Sequence, residues 1–218
     1  MDLLFRHGMT PTQRLIWLKK LSNGGGGGGG DEGDLPDGYT EVTGLEFNSR
    51  TYYRITDFPL RGSDTVTFSF SANKSCNVMG CYTTTSATTN YSLYASTSSS
   101  AKYLRYGDGT YSSYIPSESI GQRIDVVITP TGSIGMPRED TWEESDFECE
   151  SDLCICNTSP GSSSAKLDGC IFGRFIVNNR LTLTPCERES DGVLGYYDKD
   201  RGIFYEPIGD NPISLGYV

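Results

Sequence analysis

From Leu35 onward the apolar residues fall on every second position, in short runs broken by Gly, Ser, Asn and Asp. Val66-Thr67-Phe68-Ser69-Phe70 alternates cleanly, and Ile124-Asp125-Val126 does so before running on into Val127 and Ile128. Such alternation turns one face of a strand toward a core and the other toward water. Tyr103-Leu104-Arg105-Tyr106 and Thr110-Tyr111 flank Gly107-Asp108-Gly109, which reads as a hairpin with Asp108-Gly109 as its turn. Further strands are expected at 153–157, 170–177, 181–186, 193–197 and 202–205, separated by Gly-, Ser- or Asp-rich turns. Roughly ten to twelve short strands with no second helix predict an all-β chain folded as a two-sheet antiparallel sandwich.

The first 34 residues read differently. Thr10-Pro11-Thr12-Gln13 is a capping box that opens a helix, with Asn23 before glycine as its stop. Leu15, Leu18 and Leu21 recur three apart, Trp17 stands beside Leu21, and Arg14, Lys19 and Lys20 occupy the remaining face. A helix this short is marginal alone in water, so its apolar stripe needs a partner, either its own domain or another chain. Another chain is favoured because seven glycines follow, Gly24 to Gly30, and detach the helix from what comes after. The expected organisation is an anchor segment at 1–23, a linker or stalk at 24–34 and one domain at 35–218. The glycine run is either a disordered linker or, in a symmetric oligomer, an ordered stalk.

Composition removes several classes of function. A formal charge of −10 repels phosphate backbones, so nucleic acid is not an expected partner. The one histidine, His7, lies outside the patterned region, which argues against Ser/His/Asp or Cys/His catalysis and against histidine-ligated zinc. Seven cysteines, Cys76, Cys81, Cys149, Cys154, Cys156, Cys170 and Cys186, include no CxxC pair and make an odd total. They read as small buried apolar side chains in a protein made in a reducing compartment. The apolar run near Met1 is too short for a secretion signal, and no stretch is long enough for a membrane span.

The order of motifs resembles a known group. Leu35-Pro36-Asp37-Gly38-Tyr39-Thr40-Glu41-Val42, the strand at Tyr52 to Ile55, Tyr91-Ser92-Leu93-Tyr94 and Leu104-Arg105-Tyr106-Gly107-Asp108-Gly109 follow one another as in concanavalin A-like (laminin-G-like) jelly-roll domains of phage and prophage structural proteins. Leu167 to Phe172, then Leu183-Thr184-Pro185-Cys186-Glu187-Arg188-Glu189-Ser190-Asp191-Gly192-Val193-Leu194-Gly195-Tyr196-Tyr197-Asp198 and Gly202-Ile203-Phe204-Tyr205, are the most specific part of the likeness. In that motif Asp191-Gly192 is expected to make a tight turn, with Val193 and Tyr197 packing inward. Two regions depart from the group: the N-terminal helix with its glycine run, and the stretch between Ile128 and Leu153, where a short strand pair gives way to a long acidic run.

Two sets of residues are candidates for chemistry. In the acidic run from Glu139 to Asp152, Glu144, Asp146 and Glu148 would share one face of a strand, a spacing that resembles the catalytic strand of concanavalin A-like glucanases. The alternation continues through Glu150 and Asp152, as it would on a solvated edge or one attracting calcium. Tyr91, Tyr94, Tyr103, Tyr106, Tyr111 and Tyr114 lie in the central hairpins and could stack on sugar rings, although strand packing also accounts for them.

The resemblance implies a virion appendage of a bacteriophage: a head fibre, capsid decoration or tail adhesin, synthesised in the host cytoplasm and binding host-surface glycan. Residues 1–23, through Leu15, Trp17, Leu18 and Leu21, would dock on other virion proteins, and a homo-oligomer, with a trimer favoured, would suit a glycine bundle. A virion-borne glycoside hydrolase acting through Glu144, Asp146 and Glu148, and a purely structural virion component, are the alternatives. No cofactor is expected, apart from calcium at 139–152.

Overall fold

A computed structural model of the chain describes residues 35–48, 50–82, 89–98, 100, 104–111, 113–135, 140–157, 168–209 and the backbone of 213–214. The expected N-terminal helix with Leu15, Trp17, Leu18 and Leu21, the glycine run and Tyr103 lie outside them. Among the described residues the regular elements are β1 (Tyr39–Glu41), β2 (Gly44–Phe47), β3 (Tyr53–Ile55), β4 (Val66–Ala72), β5 (Cys76–Cys81), β6 (Asn90–Ala95), β7 (Leu104–Gly107), β8 (Gly109–Tyr111), β9 (Ile124–Thr129), β10 (Gly132–Ile134), β11 (Leu153–Ile155), β12 (Gly169–Val177), β13 (Leu181–Arg188), β14 (Val193–Asp198), β15 (Ile203–Tyr205), β16 (Ile213–Ser214) and one 3-10 turn, Ser117–Ser119. All strand pairings are antiparallel.

The strands form two sheets. The larger runs β10-β9-β4-β12-β13-β14-β15, with β1 against β13 and β2 between β12 and β16; the smaller runs β3-β11-β5-β6-β7-β8. This is a two-sheet antiparallel sandwich, compatible with a jelly roll. Register explains why the alternation works as a core. Across the smaller sheet one row reads Tyr53, Ile155, Met79, Leu93, Leu104, Tyr111. Across the larger sheet the facing row reads Ile124, Phe70, Ile171, Leu45. All of these but Tyr111 are buried, and burying each large apolar side chain contributes about 1.5–3 kcal/mol against an exposed one.

The β12–β13 hairpin splays, and the N-terminal strands fill the opening. β12 pairs with β13 only at Phe175 to Val177, while its first half, Gly169 to Phe172, pairs with β2. Meanwhile β1 pairs with Glu41 opposite Cys186 at the far half of β13. The change of partner is marked by a bulge between Phe172 and Ile176, where Gly173 has φ +61° and donates its N–H to Thr43 O at 2.8 Å. Val42 N–H goes to Pro185 O at 3.0 Å, so the crossover between the two strands leaves no gap in the ladder.

Two local expectations are corrected. The hairpin turn is Gly107-Asp108, because Tyr106 pairs with Gly109 and only Gly107 (φ +60°) of the two central residues has positive φ, the sign pattern of a type II′ turn. In β14 it is Tyr196, not Tyr197, that enters the core; Val193 and Tyr197 do share a face, but the opposite one, where Tyr197 packs on Tyr39 at 4.9 Å.

Buried charge closes one set of turns. Asp64, 1% exposed, accepts from Arg61 N–H at 2.8 Å and Asn178 Nδ2 at 3.2 Å, and pairs with Arg180. Asp198, 0% exposed, pairs with Arg201 and accepts from the N–H of Asp200 at 3.0 Å. Both guanidiniums lie over the Phe58 ring, at 4.5 Å for Arg180 and 5.3 Å for Arg201. The β3–β4 loop, the β12–β13 turn and the β14–β15 turn are thereby held by one aromatic ring and two satisfied carboxylates.

Candidate functional site

The acidic run does not form the expected strand. Residues 142–147 have no regular secondary structure, and Glu148 makes an isolated bridge to Arg61. The segment instead follows the β3–β4 loop in reverse: Gly62 N–H donates to Phe147 O at 2.8 Å, Cys149 N–H to Leu60 O at 2.8 Å, and Leu153 N–H to Phe58 O at 3.0 Å. Its apolar side chains are the anchors. Trp142 stacks on Tyr106 at 5.1 Å and tilts on Tyr111 at 4.5 Å, Phe147 meets Tyr106 edge-on at 5.1 Å, and Cys149 is buried. Glu144, Asp146 and Glu148 are all left exposed. Glu148 pairs with Arg61 at 2.6 Å, but both side chains are about half exposed (53% and 49%), so the pair adds little. Among the described residues, no three His, Cys, Asp or Glu side chains are gathered as a metal ion would require.

The tyrosines divide by face. Tyr91 and Tyr106 lie on the inner face of the smaller sheet and are buried. Tyr91 OH donates to Asp64 O at 3.2 Å and Tyr106 OH to Gly62 O at 2.6 Å, and burial raises both phenols above their ordinary range. They are packing residues, as strand alternation requires. Tyr111 is half-buried under Trp142, and Tyr114 is half-buried beside Ser96. Tyr94 stands on the outer face of β6, opposite Asn77 on β5.

That outer face carries the arrangement best suited to a ligand. One row crosses all six strands: Arg54, Cys154, Gly80, Ser92, Arg105, Thr110. The smallest side chains lie at its middle, where a Cβ on Gly80 would meet Ser92 Cβ at 2.3 Å, and arginines stand toward its ends. Arg54 is paired with Asp152 at 2.8 Å, while the Arg105 guanidinium lies over the Tyr82 ring at 4.5 Å. One register step away stand Tyr94 and Asn77; Asn77 is 5% exposed and its amide nitrogen has no hydrogen-bond partner among the described residues. A buried amide without a partner is costly. Tyr82, Tyr94 and Arg105 are partly exposed, and aromatic rings with a guanidinium on one face are groups that stack on and hydrogen-bond to sugars. Sequence reading missed Asn77, Tyr82 and Arg105. Arg105 was legible as the outward residue between Leu104 and Tyr106, whereas Asn77 was concealed by the bulge between Asn77 and Met79.

All seven cysteines are free and buried. Burial pushes the thiols of Cys76, Cys154, Cys170 and Cys186 up to about 12, which keeps them protonated and poorly nucleophilic. No helix among the described residues is long and apolar enough to cross a membrane. Compared with protein families, with curated proteins and with solved structures, the chain finds no match in any of the three.

Proposed function

We propose that this protein is a bacteriophage virion appendage, a head fibre, capsid decoration or tail adhesin, that presents its sandwich to host-surface glycan. The observation that carries the reading is the likeness of residues 183–205 to the phage jelly-roll group, together with the way those residues fold. β13 and β14 pair from Leu183–Asp198 to Arg188–Val193, and β15 follows with Phe204 opposite Tyr197. The connecting turn is specified by its own side chains: Asp191 accepts from Arg188 Nε at 3.0 Å, Arg188 Nη2 at 2.7 Å and Val193 N–H at 3.2 Å, and Gly192 has φ +71°. This motif specifies fold, so function is argued from the outer face of the smaller sheet.

In this reading residues 1–23 dock on other virion proteins and the glycine run spaces the domain from the particle. The protein is made in the host bacterial cytoplasm and assembles as a homo-oligomer, a trimer by preference. Each copy needs only a weak sugar contact, because many copies at high effective concentration add their affinities. Attachment is favoured over hydrolysis because Glu144, Asp146 and Glu148 lie on an irregular exposed stretch instead of one strand face.

The test is immunogold electron microscopy of purified particles with antibody raised against residues 35–218. Gold on the capsid identifies a head fibre or decoration protein, gold at the tail tip identifies an adhesin, and absence from particles despite good expression overturns the proposal. For the glycan, residues 35–218 bind host cells or a glycan array, and Tyr94→Ala with Arg105→Ala lowers that binding about tenfold or more. No binding by the unmodified domain would leave a structural virion component as the better reading.

A further inference from the structure

We propose that Cys81 and Cys149 are a disulfide-forming pair, closed by exchange with a low-molecular-weight disulfide, that locks the acidic segment onto the smaller sheet. This goes beyond the attachment reading and does not depend on it.

The two residues are brought together by Leu60. Its N–H donates to Cys81 Sγ at 3.4 Å and its carbonyl accepts from Cys149 N–H at 2.8 Å, so one backbone unit fixes both. Cys149 is also a near enough neighbour of Cys81 to raise its thiol. The other five thiols lie in different surroundings. Cys81 ends β5 on the inner face, opposite Tyr91. Cys154, another thiol near it, is opposite Gly80 and Arg54 and so belongs to the outer face. Cys76 lies at the other end of β5, Cys156 follows β11 with its N–H on Val78 O at 2.6 Å, and Cys170 and Cys186 belong to the larger sheet.

Cys149 itself lies outside the strands, on a segment held by single backbone bonds to the β3–β4 loop, so bringing its sulfur to bonding length on Cys81 displaces no strand. Cys149 is 4% exposed against 0% for Cys81, whose thiol burial and the Cys149 neighbour raise well above the ordinary range. Cys149 is therefore the thiol that exchanges first. Its thiolate attacks one sulfur of the small disulfide, a mixed disulfide forms and one small thiol leaves. Cys81 loses its proton and attacks the Cys149 sulfur, forming the protein S–S bond and expelling the second small thiol. Two protein thiols are oxidised by two electrons and one small disulfide is reduced to two thiols.

The experiment uses the full chain, purified under reductant, transferred to oxidised glutathione at pH 8, quenched with N-ethylmaleimide, and mapped by mass spectrometry without reduction. The expected result is a peptide joining Cys81 to Cys149, loss of two of the seven free thiols, and a melting temperature higher by about 5 °C. Cys149→Ala abolishes the linked peptide and the thermal gain, and Cys186→Ala keeps both. The map of the unmodified protein decides the matter even where a variant folds poorly. A linkage through Cys154, a glutathione adduct that never resolves, or seven thiols still open to alkylation after unfolding would each overturn the proposal.

Discussion

Asp64 shows what one residue can require of its neighbours. A carboxylate at 1% exposure is tolerable only because Arg180, Asn178 and the Arg61 N–H satisfy it. Replacing Arg180 with Ala leaves that charge uncompensated and removes the guanidinium from Phe58, so a loss of about 3 kcal/mol is expected in urea unfolding. Arg180→Lys should recover only part of it, since an ammonium cannot serve Asp64 and the Pro59 carbonyl in the same forked geometry. The thiols make a second prediction, about pH. Cys76, Cys154, Cys170 and Cys186 are held at about 12 by burial, against 9.0 in an unfolded chain. Below pH 9 both states carry these protons and stability is at its full value. Between pH 9 and 12 the unfolded chain releases protons that the folded chain keeps, so stability falls as pH rises. Unfolding midpoints under reductant should be level from pH 7 to 8.5 and then fall steadily. A midpoint unchanged at pH 11 would contradict the burial of these groups.

At the scale of the element, the acidic segment behaves as a strap held by three side chains, Trp142, Phe147 and Cys149. Trp142→Ala removes both the Tyr106 stack and the Tyr111 contact, and should cost about 2 kcal/mol while quenching the domain's tryptophan signal, since the other tryptophan is Trp17. Glu144→Gln, by contrast, should leave stability unchanged within about 0.5 kcal/mol, because the side chain is exposed. The same segment marks the limit of reading strands from sequence. Period-two spacing identified β4 and the start of β9 because their alternate faces differ in polarity, as in Val66, Phe68 and Phe70 against Thr67, Ser69 and Ser71, whereas β11 to β15 were legible as short runs between Gly-, Ser- or Asp-rich turns. The carboxylates of 144–148 alternate too, but an extended chain lying on a loop produces that spacing as readily as a strand does. β5 gave no alternation, since all six of its residues are buried and a bulge interrupts its register. Tyr196 and Tyr197 were indistinguishable for a related reason: when both alternating sets hold aromatic residues, pattern alone cannot say which faces inward. Of the candidate face, Tyr94 was legible from its strand. Its pairing with Asn77 and the approach of Arg105 to Tyr82 arise only when three strands are brought together.

For the whole molecule, the decisive question is where the folded unit begins. The hydrophobic core draws on residues from Leu45 onward, yet β1 is also needed. Its pairing with Cys186 to Arg188 covers the half of β13 that β12 leaves open, and Tyr39 packs on Tyr197 at 4.9 Å and Phe204 at 5.3 Å. Two truncations therefore separate anchoring from folding. A chain lacking residues 1–30 keeps every one of these contacts; it should stay monodisperse or oligomeric in solution and unfold cooperatively with an unchanged midpoint, but should not sediment with particles. A chain lacking residues 1–42 loses β1 and the Val42 bond to Pro185, leaving the backbone of 185–188 paired with β14 but open on its other edge. It should melt several degrees lower and aggregate on heating. Comparing the two by circular dichroism and by sedimentation with particles assigns each segment its part: incorporation of the chain lacking 1–30 would remove anchoring from the N-terminal segment, and equal melting of the two chains would remove β1 from the fold.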